Sequence, residues 1–94
     1  MGEKQSSLSA PTPLFTIHPN PASGNSVIVS FTSPQEGNAT LALYDVLGRE
    51  VYKRNILSGT ELAEIPLRNL NSGLYYVRLS SDAGVMSEKL QVVR

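Results

Sequence analysis

The sequence has 94 residues, which is the size of one domain with a modest hydrophobic core. Its eight basic and eight acidic residues cancel and neither sign forms a run, so the sequence shows neither the basic stripe of a nucleic-acid-binding protein nor the basic amphipathic stretch of a membrane-surface module. It contains no cysteine, which excludes disulfides and thiolate metal sites, and no apolar run long enough to span a membrane.

The chain begins with a polar segment, residues 1–13, rich in Ser, Gln and Pro, which predicts a flexible linker or tail. Residues 14–94 form the predicted domain. The start lacks the basic residues and apolar run of a secretory signal. If the domain works outside the cytoplasm, we therefore expect a signal peptide upstream in a longer precursor.

The first two predicted strands are residues 14–17 and 26–32, where apolar and polar side chains alternate. Pro19, Asn20 and Pro21 separate them. Each proline fixes its own φ and favours an extended preceding residue, so this segment is predicted to be a stiff, non-helical corner.

A hairpin is predicted between residues 39–44 and 50–56. The carboxylate of Asp45 can accept hydrogen bonds from the following backbone amides, and Gly48 can supply a positive φ. Arg49 has two interpretations at this stage, as a partner for Asp45 or as a surface contact.

Residues 60–67 form a weaker predicted strand that carries Leu62 and Ile65, and Pro66 indicates that it ends there or lies at a sheet edge. A turn at Gly73 leads into the two last strands, residues 74–80 and 85–93.

Seven short strands, with turn signals about every ten residues and no helical stripe, predict an all-β fold, an immunoglobulin-like β-sandwich of antiparallel strands. The spacing does not separate one seven-stranded topology from another. Alternation predicts ten largely buried side chains. They are Val27, Val29, Phe31, Leu41, Leu43, Tyr75, Val77, Leu79, Leu90 and Val92.

The sequence gives little support for a catalytic site or a cofactor-binding site. His18 could pair with Ser23 and Asp45 in a hydrolase, but a surface or turn role is favoured for a single histidine before a proline. Zinc, calcium and phosphate-binding motifs are all missing, so no cofactor is expected. Apart from Tyr75, the tyrosines are scattered over different strands, which favours ordinary surface positions over a sugar site. We predict a protein that is not an enzyme.

Four segments in order resemble the C-terminal sorting domain of proteins exported by the type IX secretion system. They are IHPNPA at residues 17–22, LYDVLGREV at 43–51, LNSGLYYV at 70–77 and EKLQVV at 88–93. Each motif alone is weak, but their order and the position of the last one are specific.

The resemblance implies an immunoglobulin-like fold and a non-catalytic secretion signal. It implies an N-terminal cargo domain that enters the periplasm of a Gram-negative bacterium by a signal peptide. An outer-membrane translocon would recognise the folded domain, and a surface sortase would remove it. The cargo would then be released or attached to anionic lipopolysaccharide at the cell surface.

The last strand is the predicted address, because an end strand can offer unpaired backbone and outward side chains to a partner. Lys89 and Gln91 would supply contacts, while Leu90 and Val92 hold the strand on the core. Arg49 is a further candidate contact. A second interpretation of Lys89 is that it only protects an edge strand against aggregation.

The remaining motif residues are predicted to shape the fold rather than to contact a partner. They are Pro19, Asn20, Pro21, Asp45, Gly48, Gly73 and Tyr75. Exposed edge strands also predict a homodimer. The alternative function is a fibronectin-like spacer or a carbohydrate-binding accessory module of a surface enzyme, which would explain the sandwich but not the four ordered motifs.

Overall fold

The computed structural model describes residues 15–32, 37–82 and 84–94. The predicted linker at residues 1–13 lies outside the described residues. Every one of the seven predicted strands is present, with small differences at the ends. They are β1 (Phe15–His18), β2 (Ser26–Phe31), β3 (Ala39–Asp45), β4 (Glu50–Ile56), β5 (Leu62–Pro66), β6 (Gly73–Ser81) and β7 (Gly84–Val92).

The strands form two sheets, a three-stranded sheet in the order β1-β2-β5 and a four-stranded sheet in the order β4-β3-β6-β7. All hydrogen-bonded neighbours within the sheets are antiparallel. The predicted antiparallel β-sandwich is therefore confirmed. Its edge strands are β1 and β5 in one sheet and β4 and β7 in the other.

The core lies between the sheets and is made of alternate side chains from both. All ten side chains predicted to be buried are buried. The other buried core residues are Phe15, Ala22, Ala39, Ile56, Ala63, Ile65 and Leu67. Complete burial of a valine, leucine or phenylalanine side chain stabilises a fold by roughly 1.5–3 kcal/mol, so this layer is the main source of stability.

Of the two large apolar residues that the predicted strand at 60–67 carries, only Ile65 faces the core. Leu62 is 63% exposed, whereas Ala63 and Ile65 face the core. Ala63 pairs with Val29 and Ile65 pairs with Val27, so the register of β5 against β2 places the small alanine inside and the leucine outside. The predictions for Pro66 are both confirmed, because it is the last residue of β5 and β5 is an edge strand.

Local features of the turns agree with the sequence patterns. Gly48 has a φ of 83° in the turn between β3 and β4, as predicted. The Tyr75 hydroxyl donates a hydrogen bond of 2.8 Å to the carbonyl oxygen of Asn71, which fixes the buried ring to the turn before β6. No helix in the described part of the chain is long and apolar enough to cross a membrane.

Candidate functional site

The candidate address strand, β7, lies at the edge of the four-stranded sheet. Leu90 and Val92 are buried in the core at 0% and 1% exposure, while Lys89 and Gln91 are exposed. The alternation predicted for this strand is therefore confirmed. A partner reaching β7 from solvent would meet the lysine and glutamine side chains and the outer edge of the backbone.

Asn20 occupies part of that outer edge. Its side-chain Nδ2 donates a 2.8 Å hydrogen bond to the carbonyl oxygen of Lys89, and its Oδ1 accepts a 3.0 Å bond from the backbone N–H of Gln91. One amide side chain therefore imitates the peptide group of a neighbouring strand. Asn20 was predicted to shape a corner, but nothing in the local sequence indicated this long-range pairing.

The pairing continues through Ala22, which forms an isolated parallel bridge with Val92. The N–H of Ala22 donates a 2.7 Å bond to the carbonyl oxygen of Gln91, and the N–H of Val93 donates a 2.8 Å bond to the carbonyl oxygen of Ala22. An end strand was expected to offer unpaired backbone, but the second half of β7 is paired along its outer edge. We call the segment from Asn20 to Ala22 the edge clasp.

The first half of β7 is different. Successive peptide groups of a strand point to alternate edges, and Gln91 points outward, so Val85 and Ser87 also point outward. Among the described residues, neither has a backbone hydrogen-bond partner on that side. Val85 is 65% exposed. The open edge of β7 is therefore short and lies next to the turn between β6 and β7.

Arg94 anchors the end of β7 across the sandwich. Its guanidinium donates hydrogen bonds to three backbone carbonyls, those of Leu70 (3.1 Å), Gly24 (2.8 Å) and Leu67. Its backbone N–H donates a 2.8 Å bond to Ser72 Oγ. The sequence analysis assigned no role to this residue, because carbonyl partners leave no trace in the sequence.

The turn between β3 and β4 is held by Asp45. One carboxylate oxygen accepts 2.9 Å hydrogen bonds from the backbone N–H groups of Leu47 and Arg49, and the other pairs with Arg49 Nε at 2.8 Å. The backbone N–H of Arg49 is the main cause of a lowered Asp45 pKa, and the guanidinium lowers it further. Of the two interpretations of Arg49, partnership with Asp45 is the one observed.

The structure does not bring Arg49 and Lys89 together. Arg49 precedes β4, whereas Lys89 is on β7, and these strands are the opposite edges of the same sheet. His18, considered above for a hypothetical hydrolase, has a different hydrogen-bond partner. The ring Nε2 of His18 lies 2.9 Å from Ser30 Oγ, within hydrogen-bond distance, and no contact joins His18 to Asp45 in the described residues.

Metal binding and acid–base catalysis find no support in the arrangement of residues 15–32, 37–82 and 84–94. No group of three or more His, Asp or Glu side chains there is arranged to hold a metal ion. A cleft of about 490 Å³ at one end of the sandwich is lined by neutral side chains and one carboxylate, Asp82. A single acid without a partner group offers no acid–base pair.

Comparisons with known proteins agree with this geometry. Residues 16–93 match the family described as "Secretion system C-terminal sorting domain". Among solved structures, the chain is similar to a DUF3244 family protein from Bacteroides vulgatus ATCC 8482 with an immunoglobulin-like β-sandwich fold. The TM-score is 0.68 and the identity 16%, over 83% of each chain. That likeness shows the fold alone. No curated protein matches the sequence.

The family match covers nearly all of the described residues, and it includes the edge clasp and β7. It decides between the two functions that the sequence left open, a sorting domain and a spacer or carbohydrate-binding module. The family is non-catalytic, in agreement with the prediction that this protein is not an enzyme. The chain belongs to the family of C-terminal sorting domains that serve as secretion signals of the type IX secretion system.

Proposed function

We propose that the outer-membrane translocon recognises this domain through β7, and that the domain carries an N-terminal cargo from the periplasm to the cell surface. The observation that carries the proposal is the division of β7 into two halves. The edge clasp pairs with the second half, and the outward backbone of Val85 and Ser87 remains open in the first. Lys89 projects from the boundary between the halves.

This division suits a recognition strand. The edge clasp and Arg94 hold β7 in one position, so a partner does not have to order it on binding. The open edge is short, which limits pairing between copies of the domain while leaving room for a specific strand or loop of a partner. Lys89 and Gln91 would then add side-chain contacts to those of the backbone.

The later fate of the domain is also part of the proposal. After export, a surface sortase cuts the chain within residues 1–13 or upstream of them, because a protease needs an extended segment outside the folded sandwich. The cargo is then released or attached to anionic lipopolysaccharide. The domain is therefore in the periplasm during transit and at the surface only until cleavage.

The proposal is tested with a fluorescent reporter that carries a signal peptide and ends in this domain, expressed in a bacterium with the type IX system. Surface and periplasmic fluorescence are compared for the wild type, for Lys89→Ala and for the matched control Arg68→Ala, which removes an exposed charge outside β7. We expect Lys89→Ala to lower surface delivery and Arg68→Ala to leave it unchanged. Both variants should keep the wild-type unfolding temperature, because exposed charges contribute little to stability.

Deletion of residues 88–94 should leave the reporter in the periplasm, but it also removes Leu90, Val92 and Arg94 from the fold. The point variant is therefore the sharper test of the address. Wild-type delivery by folded Lys89→Ala would remove Lys89 from the address, and wild-type delivery after the deletion would overturn the proposed function. Mass spectrometry of the delivered reporter checks the cleavage.

A further inference from the structure

The outward side of the four-stranded sheet gathers aromatic and cationic side chains that are far apart in the sequence. Tyr44 on β3 pairs directly with Tyr76 on β6, and Tyr76 pairs with Lys89 on β7. In the next row, Ala42 pairs with both Lys53 on β4 and Arg78 on β6. We call Tyr44, Lys53, Tyr76, Arg78 and Lys89 the outer face. Tyr44 and Tyr76 lie on different strands, as predicted, and the pairing of β3 with β6 places them side by side.

Arg78 is held in place at the centre of the outer face. Its guanidinium carbon lies 4.8 Å from the centroid of the Tyr44 ring, and its Nη2 donates a 3.1 Å hydrogen bond to the Tyr44 hydroxyl. Its cross-strand neighbours, Ala42 and Ser87, are small and leave the guanidinium exposed. An arginine fixed by stacking loses less side-chain freedom when it binds a carboxylate.

The charges of the outer face are not balanced by the protein. Among the described residues, no carboxylate forms an ion pair with Lys53, Arg78 or Lys89. The ion pair seen in the described part of the chain joins Asp45 to Arg49 in the turn between β3 and β4. The acidic residue paired into this surface is Glu50, opposite Tyr44 at one end of β4. Three cations against one carboxylate leave a net positive, exposed surface on a chain whose overall net charge is zero.

We propose that the outer face docks an acidic surface of a partner protein, which, on the function proposed above, is a component of the secretion machinery. Charge complementarity sets the acidic character of the partner. Tyrosine and arginine are the residue types that dominate the binding energy of protein interfaces, and here they are adjacent and partly ordered before binding. Lys89 then acts as one corner of a two-dimensional surface and not as an isolated contact on an edge strand.

The first test is a titration of the isotopically labelled chain with poly-L-glutamate, followed by NMR, with poly-L-lysine as the charge control. We expect amide shifts confined to β3, β4, β6 and β7, and loss of binding in about 0.5 M salt, because salt screens exposed charges. Arg78→Gln should weaken the affinity about two- to fivefold, and Arg68→Gln should leave it unchanged. Shifts that spread over both sheets, or equal binding by both variants, would overturn the inference.

An acidic glycan is the competing occupant. If the outer face responds to polygalacturonate and not to poly-L-glutamate, the partner is a sugar polymer and the inference of a protein partner is wrong. If Arg78→Gln lowers stability through loss of the Tyr44 contact, Lys53→Gln supplies the same loss of charge without that contact. A response of the affinity to Lys53→Gln would then support the inference, and no response would refute it.

The cellular test separates this inference from the function on which it rests. The reporter carrying wild-type domain must reach the surface, and its failure to do so would refute the proposed function itself. With wild-type delivery established, Arg78→Gln should reduce delivery and Arg68→Gln should not. Equal delivery by these two variants would overturn the outer face as a docking surface and leave the sorting function intact.

Discussion

Replacing Asn20 with alanine removes both hydrogen bonds that its side chain makes to β7. The bonds join Nδ2 to the Lys89 carbonyl oxygen at 2.8 Å and the Gln91 nitrogen to Oδ1 at 3.0 Å. A hydrogen bond contributes about 0.5–1.5 kcal/mol net. Water can replace the lost partners at this exposed edge, so the lower value applies to each bond. The two together then contribute about 1 kcal/mol, which for a domain of this size lowers the unfolding temperature by roughly 4–8 °C.

Two measurements check this value. Thermal unfolding gives the stability, and amide hydrogen exchange gives the local effect, because the N–H of Gln91 loses its acceptor when Asn20 is truncated. Asn55→Ala is the matched control, since Asn55 is exposed on the other edge strand of the same sheet and its side chain makes no hydrogen bond in the described residues.

We expect Asn20→Ala to lower the unfolding temperature and to speed exchange at Gln91, and Asn55→Ala to do neither. An unchanged unfolding temperature together with unchanged exchange at Gln91 would refute the edge clasp as a stabilising contact. Faster exchange at Gln91 without a loss of stability would show that the clasp orders the edge only locally.

Other parts of the fold give four further expectations. Gly48→Val should cost about 1–2 kcal/mol in denaturant unfolding because of the positive φ, while Gly24→Val, whose Cβ meets nothing within 4 Å, should be near neutral. Equal effects at both glycines would contradict this. The Asp45 pKa is lowered in the folded state, so its stabilising effect is present above about pH 4 and is lost as the pH falls through the folded pKa. Asp45→Asn should thus unfold at a lower temperature than wild type at pH 7, with the difference closing on acidification. Arg94→Lys should lose about 1–2 kcal/mol in the same denaturant assay, because one ammonium cannot replace a guanidinium bound to three carbonyls. Sedimentation at high concentration should detect a dimer that pairs through an edge strand other than the mostly covered β7, and only monomer would count against it.

The sequence predicts the strands well because alternation is a local signal. β2, β3 and β6 each carry apolar side chains at every second position, and all their predicted inward residues are buried. The signal fails where the inward residue is small. In β5 the exposed Leu62 outweighs the buried Ala63 in any hydrophobic pattern, so the sequence did not specify which face of this strand is buried.

The candidate site depends on strand order, which the spacing of the strands does not specify. Tyr44 and Tyr76 become neighbours only because β3 and β6 pair, and Asn20 meets β7 only because the two sheets close on each other. The corner at Pro19 and Pro21 could be predicted from fixed φ values, but the partner of the asparagine between them could not. Sequence patterns predicted β7 as a strand but did not predict that the edge clasp pairs with it.

The edge clasp also sets when the domain can be completed during synthesis. Its side-chain bonds span 69 and 71 positions, so Asn20 leaves the ribosome long before Lys89 and Gln91 have been made. Domains form as units once their last element is available, and here that element is paired on one side by β6 and on the other by the clasp. A polypeptide interrupted before residue 93 lacks the Val93 N–H that bonds to Ala22 and closes the edge clasp on β7. The clasp is therefore complete only on chains translated through that residue, and, on the function proposed above, truncated products carry no complete address.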